Sequence, residues 1–414
     1  MKQLLTSAGF LALGAAALHA YDPLLTRQQT GRPWSVSATV RGFYDDNINT
    51  SPNRFAQSSY GVDISPSAQV NLPLEQTFIS LGYAYSLRWY EDRSPDSYDQ
   101  SHEFNGKLRH QFNPRHDLGV DDSFVVTSEP TVADRFGIIT SPVRTRSRSS
   151  IMHNRGAIED NFGLSQQFAL SFGYVNNWYD YEQTGPGSRS ALLDRIEHLI
   201  RGDLRYMVNP KLVGVVGYSF GLNNYTGDDF IAPGVKSKAR DSYAHYGYVG
   251  ADYDITAKLR ASARVGAQYT DYHEAHDSST SPYADASVTY TYLPGSSVQL
   301  GLRHARNATD ISAVDSKGRP TLDAESTAVY GQVTHMILPN FTGSVIGQYQ
   351  TSSFNQGANN NNSEDFWLVG LNFEYRFDQH WSADAGYNYD KLASDIANRA
   401  YDRNRVYIGF RATY

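Results

Sequence analysis

Cysteine is absent from the 414 residues. Such a chain forms no disulfide, so if it is exported its stability must come from burial, a closed hydrogen-bond ladder or bound ions. Long apolar runs are scarce too. Leu4 to Leu18 is the main one, and it is shorter than the ~20 residues a spanning helix needs. It follows Lys2, is broken by small residues and leads to Ala20, with Leu18 at the less usual −3 place. Residues 1–20 therefore read as a secretory signal. Neither charge sign dominates: 36 basic residues stand against 43 acidic ones, for a formal net charge of −7. That balance argues against nucleic acid as a partner. No glycine-rich phosphate loop occurs. The histidines (His102, His110, His153, His198, His245 and His335 among them) are scattered singly, without metal-ligand spacing and outside any nucleophile motif. Asp271, His273, His276 and Asp277 form the densest titratable group, in a polar stretch where solvated residues are the default. Asp45, Asp46, Asn47 and Asn49 have oxygens to offer calcium but lack the glycine and the twelfth-position acid of an EF-hand loop. The expectation is a chain with no catalytic residues, no metal and no cofactor.

What is present is a period of two. Phe373, Tyr375 and Phe377 alternate with Asn372, Glu374 and Arg376. Trp381, Ala383, Ala385, Tyr387 and Tyr389 alternate with Ser382, Asp384, Gly386, Asn388 and Asp390. Near the other end, Val36, Ala38, Val40 and Tyr44 alternate with Ser35, Ser37, Thr39, Arg41 and Phe43. Successive strand side chains point to opposite faces, so each segment has one apolar wall and one polar wall. The mean hydropathy of −0.50 looks soluble, but a barrel wall gives the same low value because every second residue faces water. The 30 tyrosines suit both strands and the membrane–water boundary.

Short and long connections alternate along the chain. Short turns are expected at Leu72-Pro73-Leu74, Asn113-Pro114-Arg115, Asn209-Pro210-Lys211, Leu293-Pro294-Gly295 and Leu338-Pro339-Asn340. Weaker ones fall near 163–166, 256–258 and 378–380. Longer polar stretches cover 91–98, 129–148, 183–189, 226–240, 273–281, 310–321, 355–365 and 391–401, and the first connection, 45–49, is rich in Asx-turn residues. Pro66 inside a strand predicts a bulge or irregularity. Counting hairpins gives an all-β fold: a transmembrane antiparallel up-and-down barrel of about eighteen strands, with short periplasmic turns and longer extracellular loops. Residues 21–33 are a periplasmic lead-in and 34–414 the barrel. A propeller is disfavoured because each repeat holds two long strands, not four short ones.

In lipid the sheet must close and its apolar wall must face outward. Along 259–272, Leu259, Ala261, Ala263, Val265, Ala267 and Tyr269 then face lipid, and Arg260, Ser262, Arg264, Gln268 and Thr270 face in. A mid-depth Arg or Lys on the lipid face costs roughly 2–4 kcal/mol, so the two arginines fix that orientation. A barrel this wide encloses water unless something plugs it. Arg195, Arg201, Arg205, Arg260, Arg264 and Arg303 are expected to form a basic stripe in the lumen. Asp63, Glu374, Asp384 and Asp390 are expected to form an acidic wall across from it. The field between them would orient polar solutes. The competing reading is ordinary ion pairing, such as Arg195 with Glu197 or Arg201 with Asp203. Tyr246, Tyr248, Tyr283 and Tyr330 face inward and offer rings either to sugars or to packing against loops, the commoner use of tyrosine inside a barrel.

At Gly42-Phe43-Tyr44-Asp45-Asp46-Asn47-Ile48 the sequence resembles the putative β-barrel porin-2 family. Its members are similar in opening with a strand that runs into an Asp-Asp-Asn-hydrophobic stretch, followed by repeated long hairpins and a terminal aromatic. The resemblance implies an outer-membrane barrel of a Gram-negative-type bacterium. Because some members accompany exopolysaccharide-export machinery, it also implies polysaccharide as a candidate cargo. Ile408, Phe410, Ala412 and Tyr414 resemble the signal read by the barrel-assembly machinery. The other expected partners are outer-membrane lipid and lipopolysaccharide. Three functions stand open: a passive channel for small polar solutes or saccharides, an exopolysaccharide export channel, and a non-conducting structural or surface barrel.

Overall fold

The structure is a computed structural model that describes residues 33–128, 145 and 150–414. The expected signal over 1–20, the lead-in as far as 32 and nearly all of the 129–148 connection lie outside these residues. The rest forms a single wall of strands: β1 (Trp34–Asp45), β2 (Ser59–Pro73), β3 (Thr77–Tyr90), β4 (Tyr98–Asn113), β5 (His116–Thr127), β6 (Ile151–Gly163), β7 (Phe168–Tyr181), β8 (Arg195–Asn209), β9 (Leu212–Tyr225), β10 (Ser242–Thr256), β11 (Leu259–Tyr272), β12 (Asp277–Leu293), β13 (Ser296–Asn307), β14 (Asp323–Leu338), β15 (Phe341–Asn355), β16 (Ser363–Arg376), β17 (Trp381–Ser394) and β18 (Tyr401–Thr413). They make one 18-stranded sheet. Each strand runs antiparallel to its neighbours in sequence, and β1 pairs with both β2 and β18, so the sheet closes on itself. Closure removes both edges and satisfies every ladder internally, as a strand-built membrane span requires.

The two-residue period decides which wall faces out. In β1, Trp34, Val36 and Val40 are exposed while Ser35, Ser37, Thr39 and Arg41 are buried. Registers carry this parity around the barrel. Val40 lies opposite Ile64 and Phe410, Phe410 opposite Ala383, and Ala383 opposite Tyr375. The outer surface is thus a continuous apolar band, with Val40, Ile64, Val265, Ile408 and Phe410 each at least 43 % exposed. No monomeric soluble protein leaves so much contiguous apolar surface to water; lipid accounts for it. Tyrosine–histidine pairs sit on the same outer face: Tyr83 with His102, Tyr174 with His198, Tyr218 with His245 and Tyr292 with His335 are hydrogen-bonded at 2.7–2.9 Å.

All eight short turns fall at the expected places, five at proline signals and three at the weaker ones near 163–166, 256–258 and 378–380. Two expectations need correction. The 273–281 stretch is not a long loop: Tyr272 pairs directly with Asp277, leaving a turn of residues 273–276. The polar Ser278 to Ser281 segment reads as loop only because strand positions near the barrel rim need no apolar side chain. Likewise β17 continues to Ser394, which shortens the 391–401 connection to 395–400. At Pro66 the expected irregularity is present, as a lapse in one ladder with no bulge. The β2–β3 ladder lapses between Ile64↔Leu87 and Ser67↔Ala84 and resumes in the same register, while the β1–β2 ladder runs through Ala38↔Pro66. Proline lacks the N–H for one ladder only, so one side lapses and the register survives.

Candidate pore-lining site

All six arginines expected in the lumen lie at inward positions on β8, β11 and β13. Their neighbours are acidic. Arg195 Nε donates to Glu197 Oε1 at 2.7 Å and its guanidinium sits 4.0 Å from the Tyr179 ring centre. Arg201 lies 3.4 Å from Glu159 and 3.6 Å from Asp203. Arg205 and Arg264 each reach the same oxygen of Asp252, both at 2.8 Å. Arg260 pairs with Asp254 at 3.0 Å and is half exposed. Arg303 is exposed to the lumen, and its cross-strand neighbour Asp285 also lies opposite Arg264. The four acids expected on the facing wall also point inward, on β2, β16 and β17, and three meet an arginine. Asp63 lies 3.2 Å from Arg88, Asp384 2.5 Å from Arg41 and Asp390 2.9 Å from Arg405. Glu374 lies opposite Asp384 in the ladder. On both walls the opposite charges are interleaved.

Aromatic rings fill the spaces between them. Tyr248 donates from its hydroxyl to Asp203 Oδ1 at 2.6 Å. Its ring lies over Gly217, where a Cβ would come within 2.2 Å of it. Tyr283 stands 5.5 Å from Tyr246 and 5.7 Å from Tyr248, and the Tyr330 ring lies over Gly301 in the same way. The result is an inward ledge of tyrosines bordered by Arg201, Arg264 and Arg303.

The mouth above this ledge is organised by residues that sequence reasoning did not single out. The short helix α1 (Arg189–Leu193) is capped by Ser188, whose side chain accepts from the Ala191 N–H. It packs Leu192 and Leu193 against Ile151, Tyr181 and Ile231, the last from a small hairpin in the 226–241 connection. Arg240, with no exposed surface, holds the mouth together. Its guanidinium donates to the carbonyls of Leu192 (3.1 Å), Thr309 (2.8 Å), Ile311 and Thr321 (2.9 Å). One side chain thereby ties together three connections. Burial pulls its pKa below the usual arginine value. Asp310 is the complementary hub and binds Arg189 of α1 and Arg399 of the 395–400 connection, the latter at 3.0 Å. Burial alone would raise the Asp310 pKa, but the two guanidiniums outweigh it and hold the carboxyl down at about 2. Asp194 lies at the C-terminal end of α1. Its burial outweighs hydrogen bonds from Ser190 and the Tyr181 N–H and pushes it up to about 6.

The Asp45–Asn49 stretch closes the barrel. Arg403 donates to Asp45 at 2.5 Å, the Asn404 amide groups donate to Asp46 at 2.6 Å, and Asn47 donates to the Asp402 carbonyl at 3.0 Å. The start and end of the wall are thus pinned together at the level of the first loop. Of the assembly-signal residues, Ile408, Phe410 and Tyr414 are exposed on the outer face, and Ala412 shares that face in the β18 ladder.

A family profile described as Putative beta-barrel porin 2 matches residues 35–414. Among solved structures the chain is similar to OpdK of Pseudomonas aeruginosa with vanillate, at 10% identity over 92% of this chain and 99% of that one, with a TM-score of 0.47. It is also similar to OccK2 (OpdF) of the same organism in complex with glucuronate, at 12% identity over 92% and 98%, with a TM-score of 0.48. A third is OccAB4 of Acinetobacter baumannii, at 13% identity over 94% and 100%, with a TM-score of 0.46. No curated protein matches.

Proposed function

Starting from the chain's membership of the putative β-barrel porin 2 family, which places it in the bacterial outer membrane, we propose that it passes small polar solutes or saccharides by passive diffusion. The observation that carries this reading is the inward ledge of Tyr246, Tyr248, Tyr283 and Tyr330 beside Arg201, Arg264 and Arg303. Ring faces suit the C–H surfaces of sugars, and guanidiniums donate hydrogen bonds to hydroxyl or carboxylate oxygens. Most of these arginines have a carboxylate within reach, so their fields are short-ranged. They act on a solute that touches the wall more than on ions in mid-channel. The basic stripe and the acidic wall enter this proposal as contact surfaces.

Planar-bilayer recording with a series of solute sizes tests it. Stepwise current is expected, with permeability falling as the solutes approach the size of the ledge opening. A purified, folded barrel that carries no current would instead be a structural barrel shut by its Arg240 and Asp310 contacts. R260Q together with R264Q is expected to shift the reversal potential toward cations, and an unchanged potential removes the stripe from selectivity. The tyrosine ledge also favours a second reading, export of a polysaccharide. That reading predicts loss of secreted polysaccharide on deletion of the gene and sugar-dependent block of the current.

A further inference from the structure

The outer wall is apolar almost everywhere at mid-height, and the exception is local. Asp122 is the seventh residue of the twelve-residue β5. It is exposed on the outer face, with Val120 and Leu118 toward one rim and Phe124 and Val126 toward the other. Its register neighbours are Gly106 on β4 and Gly156 on β6. Gly156 lies opposite Asn176 on β7, and Asn176 opposite His198 on β8. One row across five adjoining strands therefore reads Gly106, Asp122, Gly156, Asn176, His198, without an apolar side chain. The equivalent row through Val40 reads Ile64, Val40, Phe410, Ala383 and Tyr375.

The glycines make this row a shallow trough, and its carboxylate is under-supplied. A Cβ on Gly156 would sit 3.5 Å from Asp122 Oδ2. The Asn154 amide donates to the Asp122 carboxylate at 3.2 and 3.3 Å. Asn154 also reaches the Ser123 carbonyl at 3.4 Å. A carboxylate has about four acceptor sites, and lipid tails supply neither water nor donors. A mid-depth carboxylate facing tails is unfavourable, and a short side chain five or six residues from either end of its strand does not reach the rims.

We propose that the outer face of β4 to β6, centred on Asp122 and Asn154, is covered by the same face of a second copy of this chain. The pair is self-complementary. Within one copy the Asn154 amide is shared between Asp122 and, at 3.4 Å, the Ser123 carbonyl. In a two-fold arrangement the N–H of that longer contact turns to the other copy's Asp122, which has spare acceptor sites. Depth matching also singles out a second copy. Identical barrels inserted the same way place Asp122 at the same height in the bilayer, whereas an unrelated partner must arrive with a donor at that depth. The glycine trough lets the two walls approach closely enough for those bonds, as small residues do at other intramembrane contacts.

The absence of native cysteine allows a direct test by oxidative cross-linking in isolated outer membranes. Ile158→Cys lies on the outer face of β6 beside the trough, and Val369→Cys lies on the outer face of β16, away from it. Ile158→Cys is expected to give a species of twice the monomer mass and Val369→Cys none. Adding Asp122→Leu and Asn154→Leu to Ile158→Cys is expected to reduce that species at least tenfold, with heat-modifiable gel migration showing that the barrel still folds. Gly156→Trp, which fills the trough while leaving the carboxylate in place, is expected to do the same. Equal cross-linking at both sites, none at either, a product containing a different protein, or a dimer indifferent to the Leu and Trp variants would each overturn the proposal.

Discussion

Replacing Arg240 by methionine keeps an unbranched apolar stem and removes the guanidinium donors. The structure allows the cost to be bounded. The carbonyls of Leu192, Thr309, Ile311 and Thr321 lose their guanidinium partner at a site with no exposure. Each orphaned buried acceptor costs about 1–3 kcal/mol, so the gross loss is roughly 4–12 kcal/mol. Against this, the variant no longer buries a charge, which relieves several kcal/mol. A net loosening of about 3–5 kcal/mol follows. It falls on the mouth alone, because the β-ladders make no use of Arg240. At 1.4 kcal/mol per factor of ten, the open mouth becomes roughly a hundred- to a few-thousandfold more populated. Hydrogen exchange on the folded barrel reads this directly: amides of 189–194, 237–241 and 309–322 should lose protection by that factor while the strands keep theirs. In single-channel records the same variant should show more frequent open–closed transitions. If the three segments keep wild-type protection in a folded R240M barrel, the guanidinium is not what holds them, and the account of the mouth is wrong.

Three shorter predictions concern other parts of the molecule. The mouth should respond to pH in two opposed steps. Asp310 has its folded pKa lowered from 3.8 to about 2. It therefore contributes up to about 2 kcal/mol that is present above pH ~3.8 and lost as pH falls toward ~2. Asp194 is raised from 3.8 to about 6. Its stabilising contribution is complete below pH ~3.8 and lost as pH rises through ~6, and it amounts to about 1–2 kcal/mol after solvent screening. Exchange protection of 189–194 and 309–311, corrected for intrinsic rates, should peak near pH ~3.8, where the two opposed slopes cancel; a monotonic profile contradicts the pairing. Asp45→Asn leaves the buried Arg403 without its carboxylate and should cost about 3–5 kcal/mol in urea unfolding of the refolded barrel; a change under 1 kcal/mol would show that Asp45 is not needed for closure. On the walls themselves, Val345→Arg on the lipid face of β15 should cost roughly 2–4 kcal/mol while Ser344→Arg, one residue away on the lumen face, costs under 1 kcal/mol. Equal costs would mean the faces are assigned wrongly.

What the sequence makes legible follows from how local each rule is. The eighteen strands and both walls come from a two-residue period, which any strand shows by itself, and the turns from prolines and asparagines whose effect is confined to a few residues. Pro66 shows where locality ends: the missing N–H is visible in the sequence, but only the neighbouring ladders decide that one side lapses and the register holds. Asp45, Asp46 and Asn47 carry visible turn chemistry, yet their partners Arg403, Asn404 and Asp402 lie 355–358 residues away. Arg240 looks in sequence like any solvated loop arginine, because a connection has no period from which burial could be read. Asp122 fails for a third reason. It shares the parity of Leu118, Val120, Phe124 and Val126, so the period alone turns it outward, but an acid among apolar neighbours breaks the pattern by which that wall is recognised.

These three failures share a cause that bears on how the barrel works. Local patterning suffices to build a cylinder with a greasy outside and a wet inside, and many sequences meet that requirement. The mouth contacts of Arg240 and Asp310, the closure contacts of Asp45 and the outward carboxylate of Asp122 are not needed to satisfy a two-residue period. Each places a charge where burial or lipid makes it costly unless one particular partner is present. In the first two cases the partner is in the chain, in connections far apart in sequence. Opening the mouth therefore requires the 182–194, 226–241, 308–322 and 395–400 segments to let go together, since Arg240 and Asp310 link all four. A gate of that kind moves as a unit, and its loops should lose exchange protection at one common rate, not segment by segment.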